Sequence, residues 1–506
     1  MARPHALIPA APYRSYAQYL ADAGAPLASV IDRAPEALTD ELRRSGLRGR
    51  GGAGFPTGIK WESLRTHACP TRYVVCNAAE GEPATFKDRF LLRKNPYATL
   101  EGMRIAAHVV GAKEGYIVLK ASSVKELGRV RAALDELTAA GVMNGFSLKI
   151  VEGPEEYLLG EEKALLNVIE GEGPLPRPAD EPPYETGLFA HPGSPNPALV
   201  NNAETYAHVP SIVRLGAESF RSLGTSDTPG TVLYTVCGDV QRPGVYELEG
   251  GVTLARLFGE IAGGPLPGRS LKAALPGVST GVITADRFDT RADFGSLAAL
   301  GSGLGAAGFW VLDDSRSIAR AAQSAIRFLY VESCNQCSAC KTELRAASHA
   351  LDELFEPGAP APELLERALI AAQHAPQGNR CYLPVEGAIL LPSLIKQFRP
   401  ELELQARERS PRSEALAIPK LLDYDEAAGR FIYDPMQPVK RADWTYPEPH
   451  VARHKAAPAP KPLGPVSVRL DRDVVGGLGS LSESEGASLD ELANRALRAW
   501  LGLGEK

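Results

Sequence analysis

The sequence predicts a multidomain chain that opens with an α/β domain built on a largely parallel sheet. Strand and helix patterns alternate over the first two hundred or so residues, short strands with glycine turns follow, and helical periodicity then returns. A chain of 506 residues, 44% of them hydrophobic, is long enough for three or four packed cores. We place the domains at 1–228, 229–316, 317–404, 405–465 and 466–506.

The α/β domain is predicted from apolar strands that alternate with amphipathic helices. A first helix over 36–45 should end at Gly46, because glycine readily adopts the left-handed conformation that stops a helix. A Pro- and Gly-rich loop covers 172–198. The predicted strands are 73–77, 115–120 and 146–153, and the later helices are 97–110, 124–140, 160–171 and about 203–216.

The remaining segments differ in pattern. Short strands with glycine turns over 229–316 predict a small β-grasp-like module, and helical periodicity over 317–404 predicts a bundle. Residues 405–465 carry many prolines and charges without periodicity, which is typical of a linker. Residues 466–506 predict a small β-α-α unit, in which Ser488 and Glu491 form a capping box.

Composition excludes several classes of function. A net charge of −6, from 55 basic and 61 acidic residues, is not that of a general nucleic-acid or membrane-surface binder. No stretch reaches the roughly 18 apolar residues that span a bilayer, and the N-terminus has no signal-like apolar region. We expect a cytoplasmic protein that meets a membrane only through partners. Seven cysteines are too few for a disulfide scaffold.

Three of those cysteines are clustered. Cys334, Cys337 and Cys340 have the spacing that places three thiolates on one tight loop, and Cys381 is the nearest candidate for a fourth. Four cysteine thiolates are the usual ligands of a 4Fe–4S cluster. Structural zinc is the alternative, although zinc sites more often use two separated Cys-x-x-Cys pairs.

A glycine-rich loop precedes the first predicted strand. Gly49, Gly51 and Gly54 form a GxGxxG pattern, but it follows a helix, whereas the dinucleotide fingerprint follows a strand. The glycines, Gly52 among them, still predict close approach of the backbone to a ligand, with N–H groups available for phosphate. Lys60 adds positive charge, and Phe55 is unusual for a solvated linker.

Acidic residues follow the first strand. Asn77, Glu80 and Glu82 come directly after 73–77, and Glu161 with Glu162 occupies the corresponding place later in the chain. Ligands of open α/β sheets bind beyond the carboxyl ends of the strands. These side chains could accept hydrogen bonds from ribose or ribityl hydroxyls, although acidic residues are also common where helices begin.

Six motifs in order carry a resemblance to a known family. LRGRGGAGFPTGIKW, NAAEGEPATFKDR, LLGEEKALLNVIEG, VNNAETYAHVPSI, GDVQRPGVYEL and ESCNQCSAC together resemble the NADH-binding flavoprotein subunit of respiratory complex I and the similar diaphorase subunits of NAD-linked hydrogenases and formate dehydrogenases. The resemblance implies an FMN domain, a β-grasp (SLBB) domain and a helical 4Fe–4S domain. It also implies hydride transfer from NAD(H) to FMN, then single electrons to the cluster.

The resemblance implies roles for individual residues. Phe55, Glu82 and Glu162 match positions that contact the nicotinamide nucleotide, and Glu82 and Glu162 are the implied catalytic residues. The implied partners are a thioredoxin-like 2Fe–2S protein and further iron–sulfur proteins of a larger redox complex. The matching cofactor positions are Gly49, Gly51, Gly52, Gly54, Phe55, Lys60, Asn77, Glu80, Glu161, Asn201 and Asn202, and the cluster ligands are Cys334, Cys337, Cys340 and Cys381.

Departures from the family pattern leave alternatives open. Ala79, Ser63 and Glu181 stand where Asp, Phe and Lys are usual, so the chain could keep FMN and cluster, lose NADH, and act as an electron relay or assembly protein. The cluster loop has Asn335, Ala339 and Lys341 in place of Gly, Pro and Arg. Residues 466–506 resemble a ribbon–helix–helix unit, which suggests self-association or, as a third hypothesis, redox-responsive DNA binding.

Overall fold

The computed structural model describes residues 5–447, except 25, 26, 28–30, 192 and 408–414. The predicted ribbon–helix–helix-like unit at 466–506 lies outside the described residues. No helix in the described part of the chain is both long enough and apolar enough to cross a membrane. The α-helices are α1 (Tyr16–Ala23), α2 (Pro35–Ser45), α3 (Thr57–Thr66), α4 (Lys87–Lys94), α5 (Pro96–Val110), α6 (Val124–Ala139), α7 (Glu162–Ile169), α8 (Ala203–Leu215), α9 (Ala217–Arg221), α10 (Phe294–Ala299), α11 (Ile318–Glu332), α12 (Ser338–Glu353), α13 (Ala361–His374) and α14 (Leu383–Arg407).

The first domain is built on a parallel sheet, as predicted. Its strands β1 (Tyr73–Asn77), β2 (Glu114–Lys120), β3 (Ser147–Gly153) and β4 (Ala198–Asn202) lie in the order β3-β2-β1-β4, and each neighbouring pair is parallel. The predicted strands and helices agree with the observed ones to within about two residues. Strand β4 was not predicted, because only four residues separate the predicted Pro-rich loop at 172–198 from α8.

Local capping signals explain the main helices. Helix α5 begins with Asn95, whose side chain accepts a hydrogen bond from the N–H of Ala98, and ends at the left-handed Gly111. Helix α2 ends at Gly46, also left-handed, as predicted. Helix α5 is almost entirely buried, and it packs against α8 to form the centre of this domain's core.

A mixed sheet of five strands makes the second domain. Strands β5 (Thr231–Gly238), β6 (Gly244–Glu249), β7 (Leu271–Leu275), β8 (Ile283–Thr284) and β9 (Gly308–Asp313) lie in the order β6-β5-β9-β7-β8. Strands β5 and β9 are parallel, and the other pairs are antiparallel. Helices α11 to α14 form the predicted bundle, and their apolar faces share one core with residues of the second domain.

The predicted linker over 405–465 is wrong for residues 416–446, which we call the strap. The strap contains the hairpin β10 (Leu421–Asp425) and β11 (Arg430–Tyr433) and a short 3-10 turn at Gln437–Val439. Phe431 packs on Phe86, with ring centroids 5.8 Å apart, and Lys440 is completely buried. These contacts are with distant parts of the chain, so no local periodicity announces them.

Candidate functional site

All the predicted binding and catalytic residues line one cleft of about 900 Å³. This volume suits a nucleotide-sized ligand. The cleft lies beyond the carboxyl ends of β1 and β4, where residues of the second domain and of α14 close it. The predicted residues at its walls are Gly49, Gly51, Gly52, Gly54, Phe55, Lys60, Asn77, Glu80, Glu82, Glu161, Glu162, Asn201 and Asn202.

The glycine loop presents free backbone donors to this cleft. Its ends are held by hydrogen bonds from the N–H of Gly49 to the carbonyl of Phe55 (2.9 Å) and from the N–H of Arg50 to Thr205 Oγ1 (2.9 Å). Between them, the N–H groups of 51–55 have no hydrogen-bond partner among the described residues. A run of unpaired N–H groups at a ligand cleft suits a phosphate. FMN carries such a group, so the loop fits it.

Gly54 is required by space as well as by conformation. Its φ of +63° is in the left-handed region, and a Cβ there would lie 2.5 Å from Cε1 of Phe294. The Phe294 ring, on α10 of the second domain, is also 4.2 Å from the Arg48 guanidinium. The second domain therefore packs against the glycine loop through the Phe294 ring.

Lys60 joins the loop to the acidic segment. Its Nζ donates to Glu162 Oε1 (2.8 Å) and to the carbonyl of Val200 (2.7 Å). The neighbouring Glu161 caps α7 by accepting from the N–H of Ala164 (2.8 Å). Burial raises the pKa of Glu161 to about 7, against the hydrogen bond from Ala164. A predicted cofactor contact thus carries a carboxyl that titrates near neutral pH.

The asparagines are anchored to the scaffold. Asn77 Nδ2 donates to the carbonyl of Gly160 (2.7 Å), and Asn202 Nδ2 donates to Asp88 Oδ2 (2.6 Å). Asn201 accepts from Trp61 Nε1 (2.7 Å) in the amide orientation that satisfies both of its ends. These amides are consequently fixed in orientation at the cleft wall.

The two glutamates after β1 have different surroundings. Both oxygens of Glu80 are engaged, one by the N–H of Asp88 (3.0 Å) and one by Arg89 Nε (3.0 Å), so Glu80 secures the start of α4. Glu82 accepts from the N–H of Val278 (2.8 Å) and lies 2.6 Å from the Tyr157 hydroxyl. A ligand-binding role for Glu80 stays a prediction.

The cleft residues missed from the sequence include Tyr157, Phe294 and Glu386. Tyr157 precedes the acidic segment that the pattern did identify. Glu386 lies on α14, five residues after Cys381 in the sequence, and is buried, with 6% of the residue exposed. Neither Glu386 nor Phe294 carries a local signal, because tertiary packing alone brings them to the cleft.

The predicted cluster ligands Cys334, Cys337, Cys340 and Cys381 line a second, small cavity. Four cysteine side chains around one cavity supply the ligand set that a 4Fe–4S cluster takes. Leu158, Cys381 and Leu383 line both this cavity and the cleft, so the two adjoin.

The structure accounts for two departures in the cluster loop. Asn335 has a φ of +65°, a conformation that asparagine tolerates better than most residues, so it can stand where glycine is usual. Lys341 Nζ donates to the carbonyls of Ser333 (2.8 Å), Tyr330 (3.0 Å) and Ala442 (2.7 Å). The last of these bonds ties the cluster loop to the strap.

The departures at the predicted nucleotide site are split between two places. Ala79 is buried at the wall of the cleft. Ser63 and Glu181 instead line a separate open depression of about 660 Å³, together with His67 and Tyr184. Ser63 and Glu181 are therefore not among the residues that line the main cleft.

An anion-binding loop alone would suit any nucleotide-binding protein. The wall shared with a four-cysteine cavity narrows the class to electron-transfer proteins that pair a nucleotide-type cofactor with an iron–sulfur cluster.

Comparison with known proteins agrees with this class. The Nuo51 FMN-binding domain family matches residues 42–211, and the NADH-ubiquinone oxidoreductase-F iron-sulfur binding region matches 320–405. One of the F-type chains of NADH-quinone oxidoreductase in Rhizobium meliloti, the one numbered 2, is 37% identical over 384 residues, which are 74% of this chain and 90% of that protein. The F-type chain of Aquifex aeolicus is 35% identical over 348 residues, covering 67% and 79% of the two chains. A crystal structure of NAD⁺-reducing [NiFe]-hydrogenase in the H₂-reduced state has a TM-score of 0.68 at 30% identity, covering 78% of this chain and 67% of that chain.

The chain belongs to the family of F-type NADH-quinone oxidoreductase subunits. It is an NADH oxidoreductase subunit that binds FMN and a 4Fe–4S cluster. The predictions of both cofactors are confirmed, and NADH as substrate fits them. The comparisons support this function over the relay or assembly alternative and over the DNA-binding alternative.

Proposed function

We propose that this chain takes NADH into the 900 Å³ cleft and delivers electrons to the cysteine cavity beside it. The observation that supports this path is the wall shared by the two cavities, which consists of Leu158, Cys381 and Leu383. When bound, FMN supplies the conversion of a two-electron hydride donor into single-electron steps. The protein contributes the positions of the two groups and a buried layer between them.

We propose that the glycine loop and Lys60 hold the FMN phosphate. The unpaired N–H groups of 51–55 and the ammonium of Lys60 belong to residues that line the same cleft. Lys60 also pairs with Glu162, and this pairing would offset the repulsion between that carboxylate and a phosphate dianion. Asn77, Asn201, Asn202 and Glu161 would then contact the rest of the cofactor, since their polar groups lie along the same walls. Phe55, with 54% of its surface exposed, offers a free ring face on which a nucleotide can stack.

Glu82 and Glu162 are proposed to contact the nicotinamide end of NADH. Both lie at the cleft, and Glu162 is drawn toward the cofactor loop by Lys60. Cys334, Cys337, Cys340 and Cys381 are proposed as the four thiolate ligands of the cluster, because they line one cavity.

We propose that the mixed sheet over 229–316 is the β-grasp (SLBB) domain. Its central strand pair is parallel and its outer pairs are antiparallel. We also propose that a thioredoxin-like 2Fe–2S protein and further iron–sulfur proteins receive the electrons, in the cytoplasm or at the inner membrane through those partners. Affinity purification of the tagged chain from its native cells, with iron assays of what co-elutes, would identify that assembly.

The test of the path is the absorption and EPR spectrum of anaerobically purified protein before and after NADH. Bleaching of the flavin band together with a new reduced-cluster signal is expected. Reduction of the flavin without any cluster signal would refute the proposed path, and no reduction by NADH would refute the proposed use of the cleft.

A further inference from the structure

Two carboxyls that line the cleft, the half-buried Glu82 and the buried Glu386, contact one tyrosine hydroxyl. The Tyr157 hydroxyl lies 2.6 Å from Glu82 Oε2 and 2.9 Å from Glu386 Oε1. The three residues come from three separate segments, and all of them line the cleft. The Tyr157 ring is held in place by Phe328 of α11, with centroids 5.2 Å apart.

The hydrogen atoms of this group can be counted. A tyrosine hydroxyl has one proton to donate, so it can donate to only one of the two carboxyls. If both carboxyls were ionised, the one that does not receive the tyrosine proton would face the Tyr157 oxygen with no hydrogen between them. Two like charges would also share a poorly solvated site. One carboxyl must therefore hold a proton and donate it to the Tyr157 oxygen.

The surroundings place that proton on Glu386. Burial raises the pKa of Glu82 as well, but a further hydrogen bond from the N–H of Val278 (2.8 Å) opposes this and favours its ionised form. Oε2 of Glu386 has no hydrogen-bond partner among the described residues. Burial, followed by the charge of Glu82, raises the pKa of Glu386 well above its usual range.

In the described structure neither Glu82 nor Glu386 forms an ion pair, and the titratable neighbours of Glu386 are Glu82, Tyr157 and Tyr382. The cation on this side is Lys120, whose Nζ and the Tyr157 ring both lie against Gly81, but it donates to the carbonyl of Glu155 (3.1 Å). Gly277, at a φ of +65°, leaves room for the Glu82 carboxylate, because a Cβ there would lie 2.0 Å from Oε1. The contact is thus built into the interface between domains.

We propose that Glu82, Tyr157 and Glu386 share one proton, which moves from Glu386 toward Glu82 when reducing equivalents bring negative charge into the cleft. In this step the O–H bond of Glu386 breaks as the Tyr157 oxygen takes that proton, while the original Tyr157 proton passes to Glu82 Oε2. No electron moves in the step. Glu386 is therefore a positioning and proton-holding residue, whereas Glu82 meets the substrate. The inference depends on the proposed function of the cleft.

Infrared difference spectroscopy of the holoprotein tests the inference. Spectra of dithionite-reduced minus oxidised full-length protein, in H₂O and D₂O, should show the carboxylic C=O band of Glu386 lost and a new one gained from Glu82. Glu386→Gln should abolish the lost band. Glu101→Gln is the matched control and should leave both bands in place. Glu101 also accepts hydrogen bonds from two tyrosine hydroxyls, those of Tyr16 (2.9 Å) and Tyr19 (2.7 Å), but it is paired with a cation, Arg214.

A second variant covers the case in which Glu386→Gln does not fold with its full cofactor content. Tyr157→Phe removes the hydroxyl that carries the proton. Glu386 should then keep its proton on reduction, and its carboxylic C=O band should be absent from the difference spectrum. A wild-type spectrum with no carboxylic band, or a band that persists in Glu386→Gln, would overturn the inference. If NADH fails to reduce the protein but dithionite produces these bands, the proposed function fails and the proton-sharing group stands.

Discussion

Lys440, in the strap, forms an ion pair whose removal has a calculable cost. Its Nζ lies 2.9 and 2.8 Å from the two oxygens of Glu332, and both side chains are completely buried. Glu332 also accepts from Gln437 Nε2 (3.0 Å) and from the N–H of Tyr157 (3.1 Å). Burial alone would raise the pKa of Glu332, but the charges of Lys440 and Lys420 outweigh it and lower the pKa to about 2.

Lys440→Met would leave this carboxylate buried without the cation that contacts it. Breaking a buried pair in this way costs about 3–5 kcal/mol, a large part of the roughly 5–15 kcal/mol that stabilises a typical domain. The strap should therefore detach before the rest of the chain unfolds. Because Glu332 also holds the Tyr157 backbone, the cleft should loosen as well.

Native-state hydrogen exchange measures the effect without requiring reversible unfolding. Exchange of amides in 416–446 should accelerate in Lys440→Met by the factor that corresponds to a loss of about 3–5 kcal/mol in opening free energy. The change at Tyr157 should be smaller. The double variant Glu332→Gln/Lys440→Met strands no charge, so it should recover most of the protection. A single variant that loses less than about 1 kcal/mol of opening free energy, or a double variant no better than the single one, would refute the reasoning.

Three further changes probe the cofactor sites and the acidic segment. Gly54→Ala should purify with little FMN but a normal iron content, because the added Cβ collides with Phe294; unchanged flavin content would contradict the proposed loop function. Cys381→Ser should lose the cluster EPR signal yet keep the flavin spectrum, and an intact signal would remove Cys381 from the ligand set. Glu161 has its pKa raised to about 7, so protonation favours the fold, and its contribution is fully present below pH 4.5 and lost as the pH rises through 7. The stability of wild type relative to Glu161→Gln should decline across that window in thermal melts, and a difference that is flat with pH would refute this.

Much of the molecule was predictable because its signals are local. Short apolar runs that alternate with amphipathic helical patterns identified β1 to β3 and the helices around them. Helix α2 ends at Gly46, as expected. The spacing of Cys334, Cys337 and Cys340 placed three thiols within seven residues of each other, at the start of α12, whatever the rest of the fold does. The unusual glycine loop likewise indicated a ligand from residue types alone.

Other features were decided only by tertiary structure. The strap has no periodicity, and it is ordered by contacts such as Lys440 with Glu332, 108 residues apart. Tyr157 meets Glu82 and Glu386 across 75 and 229 residues, and no spacing in the sequence relates such positions. Buried polar groups must find partners wherever the folded chain supplies them, so their pairing is a property of the packed domains rather than of any segment.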